Sequence, residues 1–526
     1  MKLKQIIVLV FIITLMMVSS CTLIGNKDTK VAPNIIFIMT DDHAYQALSC
    51  YNDALIETPN LDRISDEGVL FSQSFVTNSI CSPSRAVLLT GKFSHENGQR
   101  NNGQIFDGSQ VTFPKLLQDA GYETAMIGKW HLGSDPSGFD YWDILPGQGD
   151  YYNPDFNKMG ETRRVEGYVT NLITDAALEW LENRNTDKPF CMLLHHKAPH
   201  RCWMPDTTHL YLFNDVKFPL PVNFYDSYEG REAAAAQRMH MKDFCPVNDL
   251  KMLDKEGEIE GTLRKYFERQ VGRMNESQRK AWDKAYAPEI AAYKKEKLEG
   301  KELLEWNFQR YLEDYLRCIT SVDENTGRLL DYLDEHKLTQ NTLVVYTSDQ
   351  GFYLGEHGWF DKRFMYEESF RMPLMMRLPS RIKKGEIEQL VQNIDFAPTF
   401  LDLAGLAIPT DMQGESLLPL LEDQNTDDWR KSIYYHYYEY PGPHSVKRHY
   451  GIRTDRYKLI HFYNNIDQWE LYDLEEDPGE VNNLFGQKAY EELSGDLLMQ
   501  MIALQKQYND TTAVDVQLNN LTEHKY

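Results

Sequence analysis

Two short acidic segments follow apolar runs, at positions where their carboxylates could bind a metal ion. Asp41-Asp42 follows residues 31–39, and Asp349-Gln350 follows residues 342–347. Both runs are typical of buried strands in a parallel sheet, whose carboxyl ends meet at one edge. Clustered carboxylates repel one another unless a cation neutralises them, and oxygen ligands suit Ca²⁺ or Mg²⁺. Helix capping by Asp is the simpler alternative for either segment alone.

A second candidate segment contains a cysteine: Cys81-Ser82-Pro83-Ser84-Arg85, continuing through an apolar run to Thr90-Gly91. A buried structural cysteine before a Pro-started helix is the simpler interpretation of this pattern. The spacing C-x-P-x-R nevertheless resembles the signature of the type I sulfatases. In that family the cysteine is oxidised to formylglycine (3-oxoalanine), whose hydrate is the nucleophile. The resemblance therefore implies this modification of Cys81 and, as a partner, a formylglycine-generating maturation enzyme.

The resemblance includes the acidic segments and implies one Ca²⁺ ion. The implied ligand positions are Asp41, Asp42, Cys81, Asp349 and Gln350. The family commonly has Asn as the fourth ligand, where this chain has Gln350. Since Gln carries its oxygen on a longer arm, the coordination geometry at that position is left open.

Three further segments resemble the family and follow its order along the chain. They are GKWHLG at residues 128–133, HKAPH at residues 196–200 and DKR at residues 361–363. The resemblance implies that Lys129 and Lys362 hold the sulfate oxygens. It also implies that His131 handles a proton of the hydrate, and that His200 protonates the departing sugar oxygen. Arg85 would hold the hydrate and the metal carboxylates in place.

The chemistry of a sulfate monoester explains this set of groups. The ester is a stable anion, so catalysis must neutralise its oxygens and supply both a nucleophile and a leaving-group acid. One hydroxyl of a geminal diol can attack sulfur and expel the sugar alcohol, and loss of the proton from the other then ejects sulfate. A thiol lacks this exit, so Cys81 is expected to act only after its conversion.

The elements around these segments predict an α/β fold. Strands are expected at residues 31–39, 121–127, 190–195 and 342–347, and helices at residues 58–68, 113–120 and 171–183. Such alternation, with polar clusters beyond the strand ends, predicts a mixed, mostly parallel sheet sandwiched by helices. The resemblance implies the alkaline-phosphatase-like version of this architecture.

Residues 33–411 are predicted to form the catalytic domain. Two regions lack its alternation of strands and helices, one within this domain and one after it. Residues 229–312 are charged and poor in Gly and Pro, which predicts a helical insertion. Residues 412–526 are Tyr-rich and β-prone with a helix near residues 490–508, which predicts a smaller C-terminal α+β subdomain.

The N-terminus has the pattern of a secretory signal of the lipoprotein type. Basic residues precede an apolar run at residues 6–18, and Ser19-Ser20 comes before Cys21. A plain signal peptide or a membrane anchor is the alternative, but the run is shorter than the roughly 20 residues that span a bilayer. We therefore expect a signal at residues 1–20, a lipid anchor on Cys21, a tether at residues 21–32 and a periplasmic protein, with surface exposure left open.

Composition limits the partners. The chain of 526 residues carries 55 basic and 79 acidic residues, a net charge of −24. Such a chain repels nucleic acid, which is not expected as a partner, and a sulfated substrate would need a locally basic pocket. The seven cysteines contain no C-x-x-C spacing, so neither a zinc site nor a disulfide framework follows.

Residues 347–363 resemble bacterial sulfatases near the N-acetylglucosamine-6-sulfatase branch. The expected reaction is hydrolysis of the 6-O-sulfate of N-acetylglucosamine in glycosaminoglycan or mucin oligosaccharides. The alternatives are a sulfatase for uronate 2-O-sulfate or choline sulfate, a phosphomonoesterase or phosphonate hydrolase of the same fold, and a non-catalytic glycan-binding lipoprotein. Candidate sugar contacts, each of which could equally be structural, are His195 or His196, Arg201, His357 and Arg363.

Overall fold

A computed structural model gives the fold for residues 32–252, 262–423 and 426–511. Its strands, in chain order, are β1 (Asn34–Thr40), β2 (Val69–Phe71), β3 (Ser74–Phe75), β4 (Glu123–Lys129), β5 (Tyr141–Leu145), β6 (Asp155–Lys158), β7 (Glu161–Arg164), β8 (Phe190–His195), β9 (Thr342–Ser348), β10 (Tyr353–Leu354), β11 (Phe360–Asp361), β12 (Leu374–Arg377), β13 (Gly385–Ile387), β14 (Val391–Gln392), β15 (Ser432–Tyr437), β16 (His449–Thr454), β17 (Tyr457–Phe462) and β18 (Gln468–Asp473).

Ten of these strands form one mixed sheet in the order β13-β2-β12-β9-β1-β8-β4-β5-β6-β7. The five central strands, from β9 to β5, run parallel. Strands β12 and β6 are antiparallel to their neighbours. A separate antiparallel sheet of four strands, β15 to β18, lies in the C-terminal part of the chain.

Helices pack against both sheets, and the last of them packs against β15, β16 and β17 of the smaller one. They are α1 (Pro59–Asp66), α2 (Cys81–Thr90), α3 (Ser94–Asn97), α4 (Phe113–Asp119), α5 (Val169–Asn183), α6 (Glu232–Ala236), α7 (Thr262–Gly272), α8 (Glu276–Glu296), α9 (Gly300–Glu335), α10 (Glu367–Phe370), α11 (Phe396–Leu403), α12 (Leu418–Leu421) and α13 (Glu491–Gln507). Short 3₁₀ turns lie at Tyr45–Ala47, Met241–Asp243, Thr339–Asn341, Glu356–Gly358, Asn393–Asp395, Pro443–Ser445 and Lys488–Tyr490.

Aromatic packing joins β1 to one group of helices. The ring of Phe37 lies 5.4 Å from that of Phe396 and 5.7 Å from that of Phe400, both in α11. Phe400 in turn lies 5.0 Å from Phe113 of α4. A second group is organised by α9, which packs against α1 and α5. The predicted α/β sheet sandwiched by helices is confirmed.

The register of the central strands brings the two acidic segments together. Met39 of β1 pairs with Thr347 of β9 on one side and with His195 of β8 on the other. Just beyond this level, the backbone N–H of Asp349 donates to the carbonyl of Thr40 at 3.1 Å. Because the strands are parallel, their polar ends lie at the same edge of the sheet.

The helical region departs from its predicted end. Helix α9 runs without interruption from Gly300 to Glu335, so residue 312 lies in the middle of a helix. Its first turns are largely exposed or half-buried, whereas residues from Asn307 onward are mostly buried. The change in composition near residue 312 marks where the helix enters the protein interior, and it does not mark an element boundary. The other domain limits stay predictions.

Several expectations fall on residues outside the described parts of the chain. They are the signal and lipid anchor at residues 1–31, residues 253–261 of the helical region, and the end of the chain from residue 512. Within the described ranges, no helix combines the length and apolar character needed to span a membrane. The described cysteines, at positions 50, 81, 191, 202, 245 and 318, are free thiols in this structure.

Candidate active site

Cys81 is the first residue of α2, and its backbone conformation places the thiol at the amino end of the helix. All ten residues of this helix are buried, and Gly91 ends it in the left-handed conformation with φ 63°. A helix amino end carries partial positive charge, which favours an anionic group beside it. The hydroxyl of Ser82 donates to the carbonyl of His131 at 2.5 Å, which ties the helix start to the segment after β4.

Three carboxylates gather beside this thiol. Oxygen atoms of Asp41, Asp42 and Asp349 all lie within 4.8 Å of one another, and each side chain is buried. The Sγ atom of Cys81 donates to Oδ1 of Asp41 at 3.4 Å. The carboxylate of Asp349 also accepts from the backbone N–H of Asp42 at 3.1 Å. Both predicted acidic segments therefore meet at the cysteine.

Arg85 connects this cluster to the neighbouring strands. Its guanidinium donates to Oδ2 of Asp349 at 2.9 and 3.2 Å and to the carbonyl of Lys129 at 2.8 Å. The same group lies 3.7 Å from Oδ1 of Asp41. A fork of donors can hold several acceptors in one fixed arrangement, which a single ammonium cannot do.

Two lysines contact the carboxylates, one from the end of β4 and one from the segment after β11. The Nζ atom of Lys362 lies 2.5 and 2.6 Å from the two oxygens of Asp42. The Nζ atom of Lys129, at the end of β4, hydrogen-bonds to Asp41 and to the amide oxygen of Gln148. Both ammonium groups are therefore held where they can reach an anion bound beside the carboxylates.

A glycine makes the placement of Lys129 possible. Gly128 has φ 98°, and a Cβ atom there would lie 2.1 Å from the carbonyl oxygen of His195. A side chain would therefore push β4 away from β8 at the point where the lysine enters the site.

The two candidate histidines are held differently. Nδ1 of His200 bonds the carbonyl of Arg201 at 2.6 Å, and its Nε2 lies 3.9 Å from Oδ2 of Asp42. Nδ1 of His131 is buried and has no hydrogen-bond partner among the residues that the structure describes. Atoms of His200, Cys81 and Asp41 also lie within 4.8 Å of one another. His200 therefore lies with Cys81, Arg85, Lys129 and Lys362 around the carboxylates.

Electrostatics at the carboxylates favour a bound cation. Burial, followed by the carboxylate of Asp41, raises the pKa of Asp349. Burial likewise raises the pKa of Asp42, against the opposing charge of Lys362. Two neighbouring buried carboxyl groups with raised pKa values are a setting in which a divalent cation stabilises the charged form.

The donor set also fits a hard cation. The amide nitrogen of Gln350 donates to Asp42 at 2.5 Å and to Asp349 at 2.6 Å, so its side chain reaches the cluster despite the longer arm. Its amide oxygen is buried without a hydrogen-bond partner within the described ranges. Three carboxylates and an unsatisfied amide oxygen are the oxygen ligands that Ca²⁺ or Mg²⁺ takes.

Unusual backbone conformations cluster at the site. Asp42, His131, Asp361 and Arg363 are non-glycine residues with φ of 71°, 55°, 76° and 101°. Such conformations cost free energy and persist where the surrounding structure holds them, often at functional sites. Here they occur in three of the segments that carry the predicted site residues.

The candidate sugar contacts separate into two groups. His195, His196 and His357 are buried; His195 contacts the guanidinium of Arg85 at 3.3 Å, and His357 is bonded to Asp226 at 2.7 Å. Arg201 and Arg363 are instead held in ion pairs with acidic residues. Arg201 pairs with Asp249 at 2.7 Å, and Arg363 is paired with its neighbour Asp361.

Sequence reasoning missed three polar residues at the site. Gln148 bonds the ammonium of Lys129, Asn102 accepts from the backbone N–H of Ser82 at 3.0 Å, and His444 lies 3.1 Å from Asp361. Each lies in a loop or 3₁₀ turn far along the chain from its partner. No spacing pattern signals such contacts, because only the folded chain brings them together.

The mixed sheet, with acidic and cationic side chains gathered beside the amino end of a buried helix, defines an alkaline-phosphatase-like hydrolase. The sequence model of the sulfatase family matches residues 33–406. The chain therefore belongs to the sulfatase family and is a sulfuric ester hydrolase, an enzyme class that generally uses formylglycine and a divalent metal ion. A second family model, the C-terminal region of N-sulphoglucosamine sulphohydrolase, matches residues 355–507.

Three relatives illustrate the similarity. An N-acetylglucosamine-6-O-sulfatase of Bacteroides thetaiotaomicron is 54% identical over 500 residues, which cover 94% of this chain and 89% of the relative. A solved structure in complex with its substrate, D-glucosamine-2-N,6-O-disulfate, superposes with a TM-score of 0.89 at 54% identity, covering 91% of this chain and 99% of that one. Human N-acetylglucosamine-6-sulfatase is 28% identical over 434 residues, 77% of this chain and 67% of its own.

Proposed function

We propose that this sulfatase removes the 6-O-sulfate of N-acetylglucosamine from glycosaminoglycan or mucin oligosaccharides, with formylglycine at position 81 and one Ca²⁺ ion. The observation that carries the choice of sugar is 54% identity to an N-acetylglucosamine-6-O-sulfatase over nearly the full length of both chains. The observation that carries the chemistry is the convergence of Cys81 with three buried carboxylates.

The state of the thiol supports its conversion. Burial raises the pKa of Cys81 well above its usual value, although Lys362 opposes the shift. The thiol is therefore neutral near pH 7, and a neutral thiol is a weak nucleophile. The aldehyde hydrate of formylglycine supplies the nucleophile instead.

Asp41, Asp42, Asp349 and Gln350 would hold the Ca²⁺ ion. When bound, the ion polarises the sulfate group and neutralises the carboxylates. Lys129 and Lys362 bind the non-bridging oxygens of the sulfate ester, since both ammonium groups lie at the carboxylate cluster. Arg85 fixes Asp349 and the end of β4 relative to one another.

The orientation of His200 suits it to protonate the leaving oxygen. Because the carbonyl of Arg201 can only accept, Nδ1 of His200 carries a proton, and Nε2 is left facing the site. Burial lowers the pKa of His200 well below its usual value, so Nε2 is unprotonated in the free enzyme. Nε2 would first take up a proton, favoured by the negative charge of a bound sulfate ester, and then pass it to the sugar oxygen as its bond to sulfur breaks. His131 is proposed to take a proton from the hydrate.

Two segments outside the large sheet are positioned to contact the sugar. His444 and Glu439, from the connection between β15 and β16, lie 3.1 Å from Asp361 and 3.9 Å from Arg363. Asp249, from the region before α7, pairs with Arg201. Loops set on a fixed core commonly determine specificity, and we assign that role to these two segments.

The test of this proposal is a panel of sulfated sugars given to the purified, matured enzyme. N-acetylglucosamine-6-sulfate should be hydrolysed with a higher kcat/KM than uronate 2-O-sulfate disaccharides or choline sulfate, with sulfate release measured by ion chromatography. An enzyme with Cys81→Ala is the control for contaminating activity. Preference for another sulfate position, for an aryl phosphate over an aryl sulfate, or binding without turnover would overturn the proposal.

The proposed location is the periplasmic side of a membrane, through a lipid on Cys21. It is supported by the two lysines, the apolar run and the small residues before Cys21. A periplasmic enzyme would receive short oligosaccharides already cut elsewhere. Protease treatment of intact cells followed by immunodetection tests this, because full digestion with the outer membrane intact would place the protein on the surface.

A further inference from the structure

A cavity of about 310 Å³ lies outside the cluster of catalytic side chains. Its lining residues are Arg100, Asn101, Gln104, Tyr438, Arg448, Tyr463 and Asn464. The lining is polar, and its two charged side chains are both arginines. In a chain with a net charge of −24, a purely cationic cavity is unusual.

The two arginines have no acidic partner within the described part of the chain. Arg448 donates to the carbonyls of Tyr438 and Tyr440, both at 2.7 Å. Arg100 lies over the ring of Tyr438, 5.6 Å from its centre, and makes a long contact of 3.5 Å to the carbonyl of His95. Both side chains are half-buried, so their charges are neither fully solvated nor neutralised by a carboxylate.

A buried carboxylate of the C-terminal region, that of Asp510, is bonded to other residues. The carboxylate of Asp510 is buried and accepts hydrogen bonds from Tyr434 at 2.8 Å and from His436 at 2.5 Å. Most other arginines of the described chain pair with Asp or Glu. The positive charge of Arg100 and Arg448 therefore remains available to a group from outside the protein.

Both walls of the cavity are next to catalytic segments. Asn101 precedes Asn102, which accepts from the N–H of Ser82, the residue after Cys81. On the other wall, Tyr438 precedes Glu439, whose carboxylate lies 3.9 Å from Nε of Arg363. The cavity is thus lined by segments that continue directly into residues contacting the candidate active site.

We propose that Arg100 and Arg448 form a binding site for a second anionic group of the glycan, a carboxylate or a sulfate carried elsewhere than at the hydrolysed position. This inference rests on the proposed function for the identity of the glycan. The planar guanidinium binds carboxylate and sulfate oxygens through paired donors, which an exposed lysine does less well. The site would make this sulfatase favour acidic, multiply charged glycans over neutral ones that bear a single sulfate.

The experiment compares matched substrates that differ in one charge. A disaccharide of 6-sulfated N-acetylglucosamine and glucuronate is compared with its methyl ester, and N-acetylglucosamine-6-sulfate is compared with glucosamine-2-N,6-O-disulfate. For the wild type, kcat/KM should be about tenfold higher for the more charged member of at least one pair. The pair that shows the preference identifies the source of the anion as the neighbouring uronate or a second sulfate.

Variants then assign the preference to the cavity. Arg100→Gln and Arg448→Gln should each reduce the ratio of the two kcat/KM values toward one. Arg184→Gln is the matched control, because Arg184 also lacks an acidic partner within the described ranges but lies over Phe190, at the opposite end of β8. Arg448→Lys keeps the positive charge. It therefore separates loss of charge from a disturbance of the loop by Arg448→Gln. A ratio of one in the wild type, or unchanged in both Gln variants, would overturn the proposal.

A binding measurement keeps this test separate from the proposed function. Calorimetric titration of protein with Cys81→Ala by the same pairs needs no turnover. Preferential binding of the charged members that is lost in the double variant Arg100→Gln/Arg448→Gln would support the anion site even if none of the sugars is hydrolysed. Equal binding of both members of each pair would count against it, whatever the enzyme hydrolyses.

Discussion

The Sγ atom of Cys81 lies 3.4 Å from Oδ1 of Asp41, although 40 residues separate them in the chain. One residue begins a buried helix, and the other follows the central strand of the sheet. Their contact joins the proposed nucleophile precursor to the proposed metal ligands. The helix and strand that position them are buried throughout, so this geometry depends on the core of the protein and not on a surface loop.

The first prediction concerns metal binding. Asp349→Ala removes a carboxylate that also anchors Arg85, so bound metal and sulfatase activity should both be lost, with metal affinity lowered at least about a hundredfold. Elemental analysis after dialysis and sulfate release measure the two effects. Asp395→Asn is the matched control, because Asp395 is equally buried but its carboxylate bonds Gln392, Glu415 and Arg430. Full metal content in the Asp349→Ala protein would contradict the assignment.

A second prediction separates the roles of the histidines. His200→Ala should lower kcat about 10²- to 10⁴-fold for a sugar sulfate, whose alcohol needs protonation as it leaves. The loss should be much smaller for 4-nitrophenyl sulfate, because its phenolate leaves without a proton. His131→Ala should affect the two substrates alike. Equal losses on both substrates for His200→Ala would show that His200 is not the leaving-group acid.

Much of the fold could be predicted because its central strands are continuous apolar runs. Residues 190–195 were expected to be a strand and form β8 with the same limits. The acidic segments could be placed together for the same reason, since parallel strands share an edge. The length of α9 could not be predicted, because its charged first half resembles an insertion while backbone hydrogen bonding continues through residue 312.

The remaining parts of the site depend on contacts that sequence does not encode locally. Nothing in the spacing links Gln148 to Lys129 or His444 to Asp361. Arg100 and Arg448 line one cavity although they lie in loops far apart in the chain. Motifs could therefore indicate the reaction, whereas the geometry that selects the substrate required the folded chain.

A third prediction concerns stability and pH. Burial raises the pKa of Glu470 from 4.5 to about 7, although Tyr366 and Tyr472 donate to its carboxylate. Between these values the folded state keeps a proton that the unfolded state has lost, so the free energy of unfolding falls as the pH rises. The contribution lost is on the order of 3 kcal/mol. This contribution to stability is fully present below pH 4.5 and absent above pH 7.

Glu470→Gln tests this directly, because an amide does not titrate. Urea unfolding at pH 8 should give the variant a higher free energy of unfolding than the wild type. At pH 5 this advantage of the variant should be much smaller or reversed. Glu335→Gln on the exposed end of α9 is the control, with the same small difference at both pH values. A pH-independent difference for Glu470→Gln would contradict the assigned titration.

A fourth prediction concerns the choice of sugar. Exchange of residues 438–448 with the corresponding segment of a sulfatase of different linkage preference should change the preferred disaccharide, because this segment supplies the contacts to Asp361 and Arg363. Conversion of Cys81 should persist in the exchanged protein, as judged by peptide mass. An unchanged preference with normal conversion would place selectivity in the loops that follow the central strands.

The most direct test of the central claim is the mass of the active-site peptide, measured on the same preparation as its activity. Peptides that contain residues 79–85 should show the mass of formylglycine in place of cysteine at position 81, and kcat per molecule should rise in proportion to the converted fraction. Co-expression with or without a maturation enzyme varies that fraction. Full activity from protein that carries an unmodified Cys81 thiol would contradict the account.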